Sequence, residues 1–168
     1  MGFDLHGMNP QANTPKPEWT KDDPWISTEK EGVLTIDPQV KEEYDDFMRE
    51  KWKWNEENEG SYFRSNVWWW RPLWTFVCRV CDNVLTDDDH ERGSSNDGHR
   101  ISKTKTKRIA SRLRKLINSG YVSSHEEWYN EALNKLDDKD WSKSYPFSTE
   151  HVKEFERFCE KSGGFEIY

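Results

Sequence analysis

The sequence predicts an α+β fold in a single domain: about five helices around one buried helix, with a small sheet. Three observations predict it. Ser61 to Leu85, SYFRSNVWWWRPLWTFVCRVCDNVL, changes from an aromatic run to an apolar run at helical spacing. Ser102 to Asn118 and Ser148 to Lys161 repeat apolar residues every three or four positions between capping residues and glycines. Phe3-Asp4-Leu5 and Phe165 to Tyr168 alternate in the manner of short strands.

The elements follow in order. Phe3-Asp4-Leu5 is a strand before Gly7 and Pro10, and residues 11–24 read as a polar linker. Trp25 to Thr28 and Val33 to Ile36 flank Glu29-Lys30-Glu31-Gly32 as a small hairpin. Asp37-Pro38 opens an acidic helix with Val40, Tyr44, Phe47 and Met48 on one face, ended by Asn58 to Gly60. Residues 11–60 therefore form an arm on a body of 61–168. In that body Tyr62 to Trp70 is expected to be extended, because bulky rings suit a half-buried sheet. The central helix then starts at Pro72, whose missing N–H costs nothing in a first turn. Thr86 caps a short acidic helix, and Gly93 to Gly98 is a loop. The helix at 102–118 follows, with Ile109, Leu113, Leu116 and Ile117 inward and Gly120 beyond its end. Ser124-x-x-Glu127 reads as a capping box for the next helix. Asp137 to Tyr145 is polar and loop-like. Ser148 or Thr149 starts a last helix with Val152, Phe155, Phe158 and Cys159 inward. The terminal strand pairs with Phe3-Asp4-Leu5 or with the aromatic stretch.

Composition narrows the function classes. The 168 residues carry a net charge of −7, which opposes general nucleic-acid affinity. The mean hydropathy is −1.13, yet 14% of residues are aromatic, and large rings can build a core from few residues. No stretch is long and apolar enough to span a membrane. Met-Gly opens the chain, but His6 stands where myristoylation requires Ser or Thr. Three cysteines, an odd number, suit a reducing, cytoplasmic compartment.

Two stretches suggest a ligand site. In an extended segment Arg64, Asn66, Trp68 and Trp70 share one face. With Arg71 they offer stacking planes, an amide and a guanidinium, which is what a nucleotide needs. The competing reading is that the indoles are core. The second stretch is Asn96, Asp97, Gly98, His99 and Arg100 with Lys103, a glycine loop at a helix start where unpaired N–H groups attract an anion. Its competitor is a basic helix neutralised by acidic neighbours. Cys78-x-x-Cys81 with His90 and His99 resembles a zinc arrangement, but the spacing lies inside one buried helix and core packing explains it better. Asp87, Asp88 and Asp89 with His90 could hold a metal, or simply suit a helix N-terminus. His6, His125 and His151 read as structural or surface residues. No catalytic, cofactor or metal motif is recognised.

Several phrases together carry a resemblance: MGFDL, YFRSNVWWWRPLW, NDG, YPFS and FCEKSGGFEI, in that order. Over about 1–10 and 61–168 the chain resembles an uncharacterised family of small bacteriophage and bacterial proteins. The resemblance implies a phage-type origin and no established activity. Members often carry a cysteine-rich, zinc-finger-like insert before YPFS. Here only Asp137-Asp138-Lys139-Asp140 stands there, and Tyr168 replaces a frequent terminal Cys. Residues 16–58 look like an insertion in this chain.

The resulting expectation is a cytoplasmic binding module for a small phosphorylated molecule or nucleotide, sequestering a nucleotide-derived immune signal. It needs no cofactor, and a homo-oligomer is compatible with it. One alternative is an interaction module whose helices at 38–58 and 102–117 dock on a host protein. Another is a small enzyme using His99 or His90 with Asp97.

Overall fold

The computed structural model describes residues 2–21 and 38–168. The expected hairpin at 25–36 lies outside them. The chain divides into two compact units, one of 1–11 with 59–168 and one of 12–58.

In the larger unit, four antiparallel strands form a sheet in the order β2-β1-β4-β3. They are β1 (Gly2–Gly7), β2 (Tyr62–Asn66), β3 (His99–Ile101) and β4 (Phe165–Ile167). Both termini thus enter the sheet: Leu5 lies opposite Phe63 on one side and Ile167 on the other. Phe3, Leu5, Phe63, Phe165 and Ile167 are buried. Against them pack α2 (Val67–Val80), α4 (Lys103–Asn118) and α6 (Thr149–Lys161). The core is aromatic: Trp70 stacks on Trp74 at 5.3 Å and lies 5.4 Å from Phe3, and Phe155 meets Trp70, Phe63 and Phe165. The short α3 (Asp87–Arg92) and the helix α5 (Tyr121–Asn134) complete the unit, with a 3-10 turn at Trp141–Ser144.

The expected extended stretch is corrected. β2 stops at Asn66, and Val67 to Trp70 are already helical. The side chain of Asn66 accepts from the N–H groups of Trp68 and Trp69, both at 3.1 Å, satisfying two donors that a helix start leaves unpaired. Pro72 is therefore the sixth helical residue, not the first. It has no N–H to offer the carbonyl four residues back, a cost of about 3 kcal/mol. Burial of Trp70, Pro72, Leu73, Trp74, Phe76 and Val77 opposes it, at about 1.5–3 kcal/mol for each large side chain.

Three further expectations are revised. α5 starts at Tyr121 directly after Gly120, whose φ of +77° admits the sharp turn, and no capping box forms at Ser124. Residues 99–101, between the expected loop at 93–98 and α4, form β3, a strand too short to show a period of two. The polar 137–145 stretch contains the 3-10 turn, started by the Asp140 carboxylate accepting from Ser142 N at 2.9 Å.

The smaller unit holds α1 (Pro38–Glu57) and the segment 12–21. Trp19 packs against Tyr44 and Phe47, which share the expected inner face of α1. The Trp54 indole donates to the Thr14 carbonyl at 3.0 Å, and Asn58 bonds both Trp54 O and Asn13 N. Lys21 pairs with Glu43 and Lys41 with Asp45, so part of the acidic surface is neutralised internally.

Candidate functional site

The residues expected to bind a ligand do not converge. Arg64 and Asn66 lie on β2 at one edge of the sheet, and His99 and Arg100 on β3 at the other. Three strand spacings, about 14 Å, separate them. Trp70 is fully buried, and its indole donates to the Gly93 carbonyl at 2.9 Å. Asn66 is used as a helix cap, and Arg64 lies 3.6 Å from Asp4. Trp68 rests on Tyr145 at 4.9 Å.

At the other edge the Asn96-Asp97-Gly98 loop leads into a strand and not into a helix. Gly98, with φ of +87°, donates to Ile167 O at 2.7 Å, and Asp97 lies 3.6 Å from Arg92. Arg100 donates to Glu166 at 2.9 Å. Lys103 opens α4, but the N-cap is occupied by Ser102 itself, which accepts from Lys105 N. His99 is buried with Nε2 3.0 Å from Asp89. Asp89 also receives Lys105 and both the N–H and the hydroxyl of Thr86. Burial opposes its charge, but these donors outweigh burial and hold the carboxyl at about 2. This is a structural hub, and Asp97 takes no part in it.

The basic helix is partly neutralised within the fold. Lys107 pairs with Glu160 at 2.7 Å, and Arg114 with Glu156 and Glu160. Arg108 and Arg112 donate to the carbonyls of Asn83 and Val80. The acids are those at 156 and 160 on α6.

Burial pushes the Cys78 thiol up to about 12 and the Cys81 thiol up to about 11, so both stay protonated and inert. Among the described residues no group of His, Cys, Asp and Glu could hold a metal ion, and no helix is long and apolar enough to cross a membrane.

What the structure does assemble is a cleft between α2, α5 and the 3-10 turn, with a volume of about 530 Å³. Ligand pockets commonly hold about 300–1,000 Å³. One wall is the exposed stripe of α2, with Arg71, Thr75 and Arg79 at intervals of four residues. The facing wall is a stripe of α5: His125, Trp128, Tyr129, Ala132 and Leu133. Trp141 and Tyr145 close one end. Trp128 and Trp141, at 60% and 66%, are the most exposed large apolar side chains among the described residues. An apolar surface of this kind in one concavity marks a contact site.

The charge of the cleft opposes that of the chain. Among the described residues no carboxylate lines it. Arg71 Nη1 donates to the Tyr145 hydroxyl at 3.0 Å, and its guanidinium carbon lies 5.9 Å from that ring. Arg79 lies over Phe76 at 5.4 Å, with Nη2 3.3 Å from His125 Nδ1. Neither arginine has a carboxylate partner among the described residues. Burial and then the charge of Arg79 push the His125 pKa below its usual 6.5, so the ring is neutral at pH 7.

Compared with known proteins, the chain matches no family model, no curated protein and no solved structure. Function must therefore be argued from the side chains themselves.

A second, smaller cleft of about 350 Å³ is lined by Arg64, Ser65, Asn66, Trp69 and the start of α6. In it Ser65 Oγ lies 3.1 Å from His151 Nε2, and Glu154 3.5 Å from Nδ1. The order is that of an acyl-transfer relay. Ser65, however, is only 4% exposed, and its hydroxyl also lies 3.3 Å from the Asn66 carbonyl. The contact serves to tie β2 to α6, with the His151 ring held between Phe63 and Trp69.

Of the residues expected from sequence to bind a ligand, only Arg71 lines the larger cleft. Arg79, His125, Trp128, Trp141 and Tyr145 were missed. Their signal was present as two facing stripes at helical spacing, but only the tertiary fold places one stripe against the other.

Proposed function

We propose that the protein binds a small planar anion in the α2/α5 cleft, and that its role is to hold this ligand without transforming it. A nucleotide or nucleotide-derived signal is the class that fits, and sequestration of such a signal is the use that the phage-type resemblance suggests. The observation that carries the reading is a pair of arginines, without carboxylate partners among the described residues, set among exposed aromatic rings in a chain of net charge −7. Stacking planes and guanidinium donors in one concavity complement a ring bearing an anionic group.

Thermal denaturation with mono-, di- and cyclic nucleotides and with unrelated planar anions tests the proposal. A ligand at 100 times its Kd adds about 2.7 kcal/mol to stability, a readily measured shift. Absence of any shift at millimolar concentration contradicts it.

A host-protein reading, expected from sequence on the helices at 38–58 and 102–117, finds a different surface in the exposed Trp128 and Trp141. It requires one stoichiometric partner whose binding is lost when both indoles are removed.

A further inference from the structure

The cleft has two chemically different ends, and we infer that these recognise the two halves of a nucleoside monophosphate, the base on Trp128 and the phosphate between Arg71 and Tyr145. The inference rests on the binding role proposed above and adds the ligand's composition and direction.

The base end is a column of nearly parallel rings. Phe76 and His125 stack at 5.0 Å and 26°, and His125 and Trp128 at 5.5 Å and 27°. Phe76 is buried at the root of the column, whereas Trp128 is 60% exposed and lines the cleft. The open indole face is thus where a fourth planar ring extends the stack. Base–indole stacking tolerates any base because every base has a π-face. Arg79 sits at this end, over Phe76 and against the His125 ring. Its donors are placed for ring acceptors on the base.

The phosphate end is built differently. Arg71 spends one of its five N–H groups on the Tyr145 hydroxyl. Because that hydroxyl accepts from Arg71, its own proton remains to be donated. Two donor groups, one of them charged, therefore lie side by side, as phosphate recognition requires. Tyr145 is held in place by Trp68 at 4.9 Å and Trp141 at 5.4 Å. Arg71 and Phe76 are five residues apart on α2, about 7.5 Å along the axis.

Calorimetry with adenosine 5′-monophosphate, adenosine and ribose 5-phosphate tests the assignment. The monophosphate is expected to bind at least about tenfold more tightly than either fragment. Trp128→Ala should weaken the monophosphate and adenosine by about tenfold or more and leave ribose 5-phosphate unchanged. Arg71→Gln should weaken the monophosphate and ribose 5-phosphate and spare adenosine. Both side chains are at the surface, so unchanged melting of the free variants checks that they fold. A monophosphate that binds no tighter than its fragments, or variants with the reverse pattern, overturns the assignment. If the monophosphate fails while another planar anion binds, the assignment falls and the binding role stands. If no planar anion binds, both fall.

Discussion

Arg71 and Tyr145, 74 residues apart in the chain, meet at 3.0 Å through a guanidinium-to-hydroxyl hydrogen bond at one end of the larger cleft. Arg71 follows the Trp68-Trp69-Trp70 run, and Tyr145 begins YPFS. Two phrases that stand out in the sequence are thus joined at one end of the cleft.

Removing the cap of α2 should destabilise the fold without emptying the cleft. Asn66→Ala deprives the Trp68 and Trp69 N–H groups of their acceptor and is expected to cost about 0.5–2 kcal/mol. Chemical denaturation measures this. Asn66→Asp, which keeps an acceptor, should restore most of it.

Gly93→Ala should be worse. An added Cβ would lie 2.2 Å from the Trp74 ring, while the Gly93 carbonyl is held by the Trp70 indole at 2.9 Å. The loop cannot retreat without losing that bond. A loss of about 1–3 kcal/mol, typical of overpacking, is expected in the denaturation midpoint.

The expected pH dependence of stability has two limbs. The pKa values of His125 and His151 are lowered chiefly by burial, so protonation favours the unfolded chain. Stability should begin to fall as pH drops below 6.5, the ordinary histidine value. Asp89, held at about 2 against an ordinary 3.8, contributes stability above that value and loses it as pH falls toward 2. The difference corresponds to on the order of 2 kcal/mol. Asp89→Asn should remove the second limb and lower stability at pH 7, because Lys105 and His99 lose their anionic partner. Denaturation midpoints between pH 8 and pH 2 report both effects.

Ser65 is expected to remain unreactive. A fluorophosphonate probe should leave it unlabelled at neutral pH, and Ser65→Ala should cost about 1 kcal/mol for the lost hydrogen bond to His151. Stoichiometric labelling that disappears in His151→Ala would instead make the smaller cleft a catalytic site.

Much of the fold was legible where one signal dominated. Ser102 and Ser148 cap α4 and α6 as their sequences announce, and Phe3, Leu5, Phe165 and Ile167 alternate into the sheet. The start of α2 was hidden because three consecutive tryptophans suit a strand as well as a helix. Only Asn66, read as a cap and not as a ligand group, would have decided it. β3 is three residues long, and its pairing with β4 comes from tertiary context. The cleft was illegible for the same reason. The Arg71, Thr75, Arg79 stripe can be read from α2 alone, but nothing local states that His125 and Trp128 face it.

The cleft itself is tested most directly by nuclear magnetic resonance of the side-chain indoles during titration with a nucleotide panel. If the account is right, the Nε1–H signals of Trp128 and Trp141 shift and saturate with one ligand, while those of the buried Trp70 and Trp74 stay in place. Arg71→Gln with Arg79→Gln abolishes the response. Shifts confined to other tryptophans, or saturable binding that persists in the double variant, would contradict it.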